Sequence, residues 1–474
     1  MKTSYKIYTV LLLAAVVTTS CKVSKDLDTP TDAYPEKYRD AAAASANDTT
    51  SAADIQWKAF FAEKDLVKLI DSAVARNYDL QLAQKNIEIA QLRLSQSKWN
   101  NVPQVNLGVT ATSSRPSDNS LNGISLNQFL DKKHIEDYTI SAGLSWEADI
   151  WGKIKSQNKA TLALYLQSEE ARKALQTAIV ANVAKGYYNL LMLDSQLKIA
   201  KENLALNDNT LVLIRLQFDS GQVNSLAVQQ AEAQRLVAAQ LVPQLQQNIV
   251  IQENALSILA GSFPSAKQRE NILEGIELKK NLATGVPSVL VSKRPDVRSA
   301  QLALQQANAR VGIAKTSLYP SLTITAAGGL NSFETSNWFN IPGSLFGAVA
   351  GGLTQPLLNS RKLRTQYKIA QTEREQSVLL FRKQVLVAVG EVSDALVQLE
   401  KLDDQQGIAQ QRVETLQQAT KNANMLFQNG MATYLEVIVA QGNILQSQLE
   451  LASVKRQLLS ANVELYRSLG GGWQ

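Results

Sequence analysis

Few residues of this chain could do covalent or acid–base chemistry. Its 474 residues include one histidine, His134, and one cysteine, Cys21. A metal site draws several His, Cys or carboxylate ligands to one point, so a multi-histidine site within one subunit is excluded. The sequence holds neither a Gly-x-Ser-x-Gly elbow nor a Gly-x-x-x-x-Gly-Lys-Ser/Thr phosphate loop. The run Gly470–Gly472 lacks the Lys and Ser/Thr of such a loop and reads as the end of a helix. Asp403 and Asp404 fall on a polar helix face, where water solvates them. These patterns predict a protein that is not an enzyme and holds no metal or dissociable cofactor.

Cys21 is different because of what precedes it. Lys2 and Lys6 form a basic start, Val10 to Val17 an apolar run, and Thr18, Thr19 and Ser20 a small-residue stretch. That is a secretory signal over residues 1–20, and its apolar run is too short for a bilayer, which needs about 20 residues. A cysteine directly after the small residues is where a lipoprotein signal is cut and the new N-terminus acylated. Thr18 and Ser20 replace the Leu and Gly or Ala usual there, so an ordinary signal peptide with a neighbouring Cys is the other reading. Residues 21–61 read as a tether, the stretch to Ala53 being rich in Ala, Ser, Thr, Asp and Pro without period.

Composition agrees with export. A single cysteine allows no intrachain disulfide. Removing residues 1–20 lowers the formal net charge from +6 to +4, and no Lys/Arg cluster points to nucleic acid. No later segment has 18 or more consecutive apolar residues, so membrane crossing would fall to strands.

The elements that would position any site come from one unit written twice. NYDLQLAQKNIEIAQLRLSQSKWNNVP from Asn77 matches RPDVRSAQLALQQANARVGIAKTSLYP from Arg294 at an offset of 217, pairing Asp79 with Asp296 and Arg93 with Arg310. LQFDSGQVNSLAVQQAEAQ from Leu216 matches MLFQNGMATYLEVIVAQGN from Met425 at an offset of 209, pairing Gly221 with Gly430. The eight-residue difference is extra length in the first half. The copies span 62–262 and 286–469, joined by a connector at 263–285 and followed by a tail at 470–474.

Within each copy, apolar residues recur every three or four positions: Leu190, Leu193, Leu197, Ala200 and Leu204, then Val385, Val389, Val392, Leu396 and Leu399. These are coiled-coil seams. Lys155 to Phe218 contains no proline, so one helix there would reach ~95 Å. Gly221 and Gly430 mark sharp ends before a second helix. Strand alternation follows both prolines: Val105, Leu107, Val109 and Ala111, then Tyr138 to Trp146, then Leu322, Ile324 and Ala326, then Leu345 to Leu353. Four such strands suit a membrane barrel but cannot close one, and an open edge in lipid leaves backbone groups unpaired. Two copies would make an eight-stranded barrel filled by side chains; three would leave a pore.

From about Trp57 onward the chain resembles the TolC-like outer-membrane efflux proteins, in the lipoprotein branch of OprM and NodT type. The resemblance rests on RPDVRSAQLALQQANARVGIAKTSLYPSLTI, on the FDSG and FQNG helix ends, and on the terminal LYRSLGGGW. It implies a mixed α and membrane-β fold: a long antiparallel α-helical coiled-coil tunnel in the periplasm, and four strands per chain of a 12-stranded trimeric outer-membrane β-barrel. It also implies a homotrimer, a periplasmic adaptor and an inner-membrane pump of the resistance-nodulation-division class. Cys21 resembles the branch's acylated residue, which places the N-terminus in outer-membrane lipid.

The resemblance locates a periplasmic constriction after the helix-tip turns Gly221 and Gly430. Glu436 matches an acidic ring position and is expected on the second turn of its helix; Leu435 matches an apolar sealing residue. Val439 and Ala227 occupy positions usually acidic, Leu226 is the first-copy counterpart of Leu435, and Gly442 stands where the branch can carry Arg. Leu226 and Leu435 equally fit a coiled-coil core, and Glu436 an exposed face. The implied function is a passive exit duct for small toxic compounds. The alternatives are a duct of the same build for protein or peptide secretion, and a lipid-anchored coiled-coil scaffold.

Overall fold

The computed structural model describes residues 54–278 and 293–474. The signal peptide, Cys21, the tether to residue 53 and residues 279–285 of the connector lie outside the described residues. Two short helices, α1 (Trp57–Phe60) and α2 (Lys64–Arg76), come first. The first repeat continues through α3 (Tyr78–Trp99), β1 (Gln104–Ser114), α4 (Leu121–Leu130), β2 (Ile135–Ala148), α5 (Lys153–Asp219) and α6 (Ser225–Leu259). The second runs α7 (Pro295–Thr316), β3 (Ser321–Ser332), β4 (Leu345–Thr354), α8 (Lys362–Gln428) and α9 (Tyr434–Ser468).

The long helices of the two repeats match in length. Helices α3 and α7 have 22 residues each, α5 and α8 67 each, and α6 and α9 35 each. A 67-residue helix is about 100 Å long. The change of offset sits in the hairpins: residues 115–134 join β1 to β2, whereas the shorter 333–344 joins β3 to β4. The longer loop contains α4, which the sequence reading leaves as loop. Ser120 caps it by accepting a hydrogen bond from the Gly123 N–H at 3.1 Å. Ten residues make a helix too short to stand without local support.

Each long helix stops in the same way. Gly221 and Gly430 adopt φ of +72° and +69°, a left-handed conformation that costs a side-chain-bearing residue and not glycine. The Gln222 and Met431 amides then donate to the Gln217 and Leu426 carbonyls at 2.8 Å, closing both helix ends. Asn224 caps the following α6 by accepting from the Ala227 N–H at 3.2 Å.

Compact packing does not follow the repeat boundary. One unit comprises 88–166 and 301–379 and contains all four strands; the other comprises the described parts of 54–87, 167–300 and 380–474. In the second unit α1 is held by Phe60, stacked 4.0 Å from Tyr466, whose hydroxyl donates to the Ile55 carbonyl at 2.5 Å. That accounts for one residue of the LYRSLGGGW motif.

The same unit shows why RPD matters in the second repeat. Arg294 is 3 % exposed and donates from Nη1 to the Ser468 carbonyl at 2.9 Å, satisfying the C-terminus of α9. Its Nη2 pairs with both Asp296 and Glu391, each at 2.6 Å. Glu391 also binds Arg467 at 3.0 Å; Arg467 pairs with Glu464, and Glu464 with Lys185. The first repeat does the same job without charge. Asn77 donates to the Leu259 carbonyl at 3.0 Å, and its own oxygen caps α3 by accepting from the Asp79 N–H at 2.9 Å.

Candidate functional site

The first functional surface is the sheet. Its strands run in the order β1-β2-β3-β4, every pair antiparallel. Register places Leu107 opposite Ala142, Ala142 opposite Gly328, and Gly328 opposite Gly347. Because side chains alternate along a strand, one face collects Val105, Leu107, Val109, Ile140, Leu144, Ile324, Leu330, Val349 and Leu353. The opposite face collects Asn106, Thr110, Thr139, Ser141, Ser145, Glu147, Thr323, Thr325 and Asn331.

Both ends of the sheet carry aromatic rings. At one end the Trp146 Nε1–H donates to the Asn101 carbonyl at 3.0 Å and the Trp151 Nε1–H to the Pro320 carbonyl at 2.7 Å. At the other, Tyr138 lies 5.6 Å from Trp338, and Trp338 5.1 Å from Phe339. Amphipathic rings of this kind flank the apolar band of membrane barrels. β1 and β4 each have one neighbour, so two rows of backbone groups face outward unpaired.

The second surface lies beside the two tip glycines. Leu211 and Ile214 from α5, Ala227 and Ala231 from α6, Phe427 from α8 and Val437 from α9 form one buried cluster. Four helix ends are thereby fixed to one another. Leu226, Leu435 and Val439 stand outside that cluster, at 52, 54 and 52 % exposure. A core role for Leu226 and Leu435 within one chain is ruled out by that exposure.

Ala227 is 0 % exposed. The resemblance puts Ala227 at the constriction, but it fills the cluster under Leu226 instead, because consecutive helical residues point about 100° apart. Gly442 faces α6, where an added Cβ would lie 3.8 Å from the Gln234 Nε2.

Glu436 also needs correction in its placement. Helix α9 begins at Tyr434 after the N-cap Thr433, so Glu436 stands in the first turn and not the second. The Thr433 N–H donates to the Glu436 Oε2 at 2.9 Å, and the Thr433 hydroxyl donates to the same oxygen. This is a capping box, legible in Thr433-x-x-Glu436. The Thr433 hydroxyl, followed by backbone amides, holds the Glu436 carboxyl below the usual carboxylate range. The side chain is exposed and ionised, with its charge beside the positive end of the α9 dipole.

His134 lies in the loop before β2, and among the described residues no group of His, Cys, Asp or Glu could hold a metal. No described helix is long and apolar enough to cross a membrane.

Known proteins share this arrangement over nearly the whole chain. The family model for Outer membrane efflux protein matches residues 69–262 and again 286–471. The cation efflux system protein CusC of Escherichia coli K12 is 26% identical over 462 residues, covering 97% of this chain and 98% of CusC. The toluene efflux pump outer membrane protein TtgF of Pseudomonas putida is 31% identical over 430 residues, covering 90% of this chain and 87% of TtgF. A crystal structure of CusC superposes with a TM-score of 0.83 at 25% identity, covering 95% of this chain and 100% of that one. The outer-membrane channel OprN shares the fold with a TM-score of 0.86 at 24% identity, covering 96% of this chain and 100% of that one. With a sheet of one apolar and one polar face, paired long helices and a family match to both repeats, the chain belongs to the outer membrane efflux protein family.

Proposed function

We propose that three copies join β4 of one to β1 of the next, closing a 12-stranded barrel around a water-filled exit duct. The observation that carries this reading is the four-stranded sheet with two unpaired edges, one apolar face and one polar face. Strand directions alternate across the proposed seam as they do within the chain, and closure removes every edge from lipid. Native mass of the detergent-solubilised protein should give three subunits, and planar-bilayer recording should give discrete channels. A stable monomer with all four strands protected from exchange would refute the closure.

The duct has no energy source of its own and is read as the passive end of a tripartite system. A periplasmic adaptor and an inner-membrane pump of the resistance-nodulation-division class would supply selection and drive. CusC is described for cations and TtgF for toluene, which supports small toxic compounds as cargo and the pump as the filter. Cys21 is read as the acylated N-terminus, each buried CH₂ of its chains adding ~0.8 kcal/mol of membrane affinity. Labelled palmitate should enter the wild type and not Cys21→Ser; an unlabelled wild type with a free thiol would remove the anchor.

The entrance is assigned to Leu226, Leu435, Val439 and Glu436. Three exposed apolar side chains per copy would seal by contact, while Glu436 would add one carboxylate each. Like charges in a narrow mouth concentrate cations, and only one acidic position per copy is occupied, so cation selectivity should be mild. Glu436→Gln keeps an oxygen for the capping box and removes the charge, so it should weaken cation preference without loss of folding. Leu435→Ala should raise resting conductance. Single-channel recording at matched salt checks both, and two unchanged channels would move the constriction elsewhere.

A further inference from the structure

Arg93 in α3 and Arg310 in α7 occupy the same place in the two repeats, and neither side chain has an ion-pair partner among the described residues. Both line one open cavity of about 400 Å³ within the strand-bearing unit, floored by α5. Asn100, Gln157 and Gln306 add amide donors, the Thr161 hydroxyl donates to the Gln157 carbonyl at 2.7 Å, and no carboxylate lines the cavity. Both arginines are exposed, and they converge without acids on one concavity whose amide side chains can also donate.

The side of the wall can be read from α5. Lys153, in its first turn, pairs with Glu147 at 2.9 Å, and Glu147 stands on the polar face of β2 with Ser145 and Ser141. Gln157, Ala160, Thr161 and Leu164, the α5 residues of the cavity, follow Lys153 at helical spacing on one face. The cavity therefore opens on the side that continues the polar face of the sheet. In the duct reading proposed above, on which this inference rests, that side is the lumen.

We propose that this cavity is an oxyanion-binding site of the lumen wall, taking the carboxylate or phosphate group of a small anionic compound in transit. The guanidinium fork fits both groups bidentately. A volume of about 400 Å³ lies in the range of small-molecule sites. Threefold assembly would arrange six such guanidiniums around one passage, where low-dielectric walls strengthen their field.

The test uses the trimer in planar bilayers, with inorganic pyrophosphate added to the chamber facing the barrel. Wild-type current should fall with pyrophosphate concentration. Arg93→Gln and Arg310→Gln should each raise the half-blocking concentration at least threefold, and the double variant at least tenfold. The block should also weaken steeply with added salt. An unchanged half-blocking concentration in the double variant overturns the site. So does a wild-type channel that conducts yet shows no block, an outcome that leaves the duct standing; a protein that never conducts overturns the duct reading itself.

Discussion

Leu107→Arg should prevent assembly in the outer membrane, whereas Thr110→Arg should leave it intact. Both residues lie in β1, three positions apart and therefore on opposite faces. Leu107 stands mid-strand opposite Ala142 on the apolar face, 76 % exposed in the single chain. An arginine facing lipid at mid-depth costs about 2–4 kcal/mol, and closure by three copies imposes that cost at three places in one barrel. Thr110 lies opposite Thr139 on the polar face, where an added charge meets water. Outer-membrane fractions run unheated on gels should show the trimer for Thr110→Arg and lose it for Leu107→Arg. Equal behaviour of the two would overturn the assignment of faces.

The other large effect is expected at Arg294. Its removal strands Asp296 without its main cation and leaves the Ser468 carbonyl unpaired. Breaking one partner of a buried ion pair costs about 3–5 kcal/mol. Asn77→Ala at the equivalent site should cost about 1–2 kcal/mol, since a cap and a neutral hydrogen bond are lost there. Urea midpoints of the two variants should therefore differ clearly.

The pH dependence has a definite sign. Burial alone would raise the Asp296 and Glu464 carboxyls, but Arg294 beside the first, and Arg467 and Lys185 beside the second, hold both below their ordinary values. Their contribution is complete above the ordinary carboxylate range and is lost as pH falls through the lowered folded-state values. Wild-type stability should drop in that acid window, and Arg294→Ala should show a shallower drop. Parallel acid profiles would show that the Arg294–Asp296 pair is not a main source of the slope.

The duplication, the helix ends and the four strands were legible in the sequence because each rests on local rules. A glycine is needed where φ turns positive, as at Gly221 and Gly430, and alternation along Val105, Leu107 and Val109 fixes the faces of β1. The Thr-x-x-Glu cap at Thr433 is equally local, and it sets Glu436 in the first turn of α9, one turn earlier than a count from Gly430 gives. Helix α4 was missed because a ten-residue helix between turn-forming residues carries little periodic signal.

Other features were decided only by the tertiary structure. Leu226 and Ala227 are neighbours of similar apolar type, and nothing in their order says which enters the tip cluster and which faces out. That choice depends on where Phe427 and Val437, some two hundred residues away, press against α6. Asn77 and Arg294 share a task despite unlike chemistry, because each meets the carbonyl end of a helix that returns from far along the chain. Arg93 and Arg310 align in the repeat, but only the packing of α3 and α7 over α5 brings them to one cavity. By itself the sequence determined what each segment is, since backbone hydrogen bonding and side-chain period act over a few residues. Which face of each segment is buried, shared or left open to a passage was decided by long-range contact.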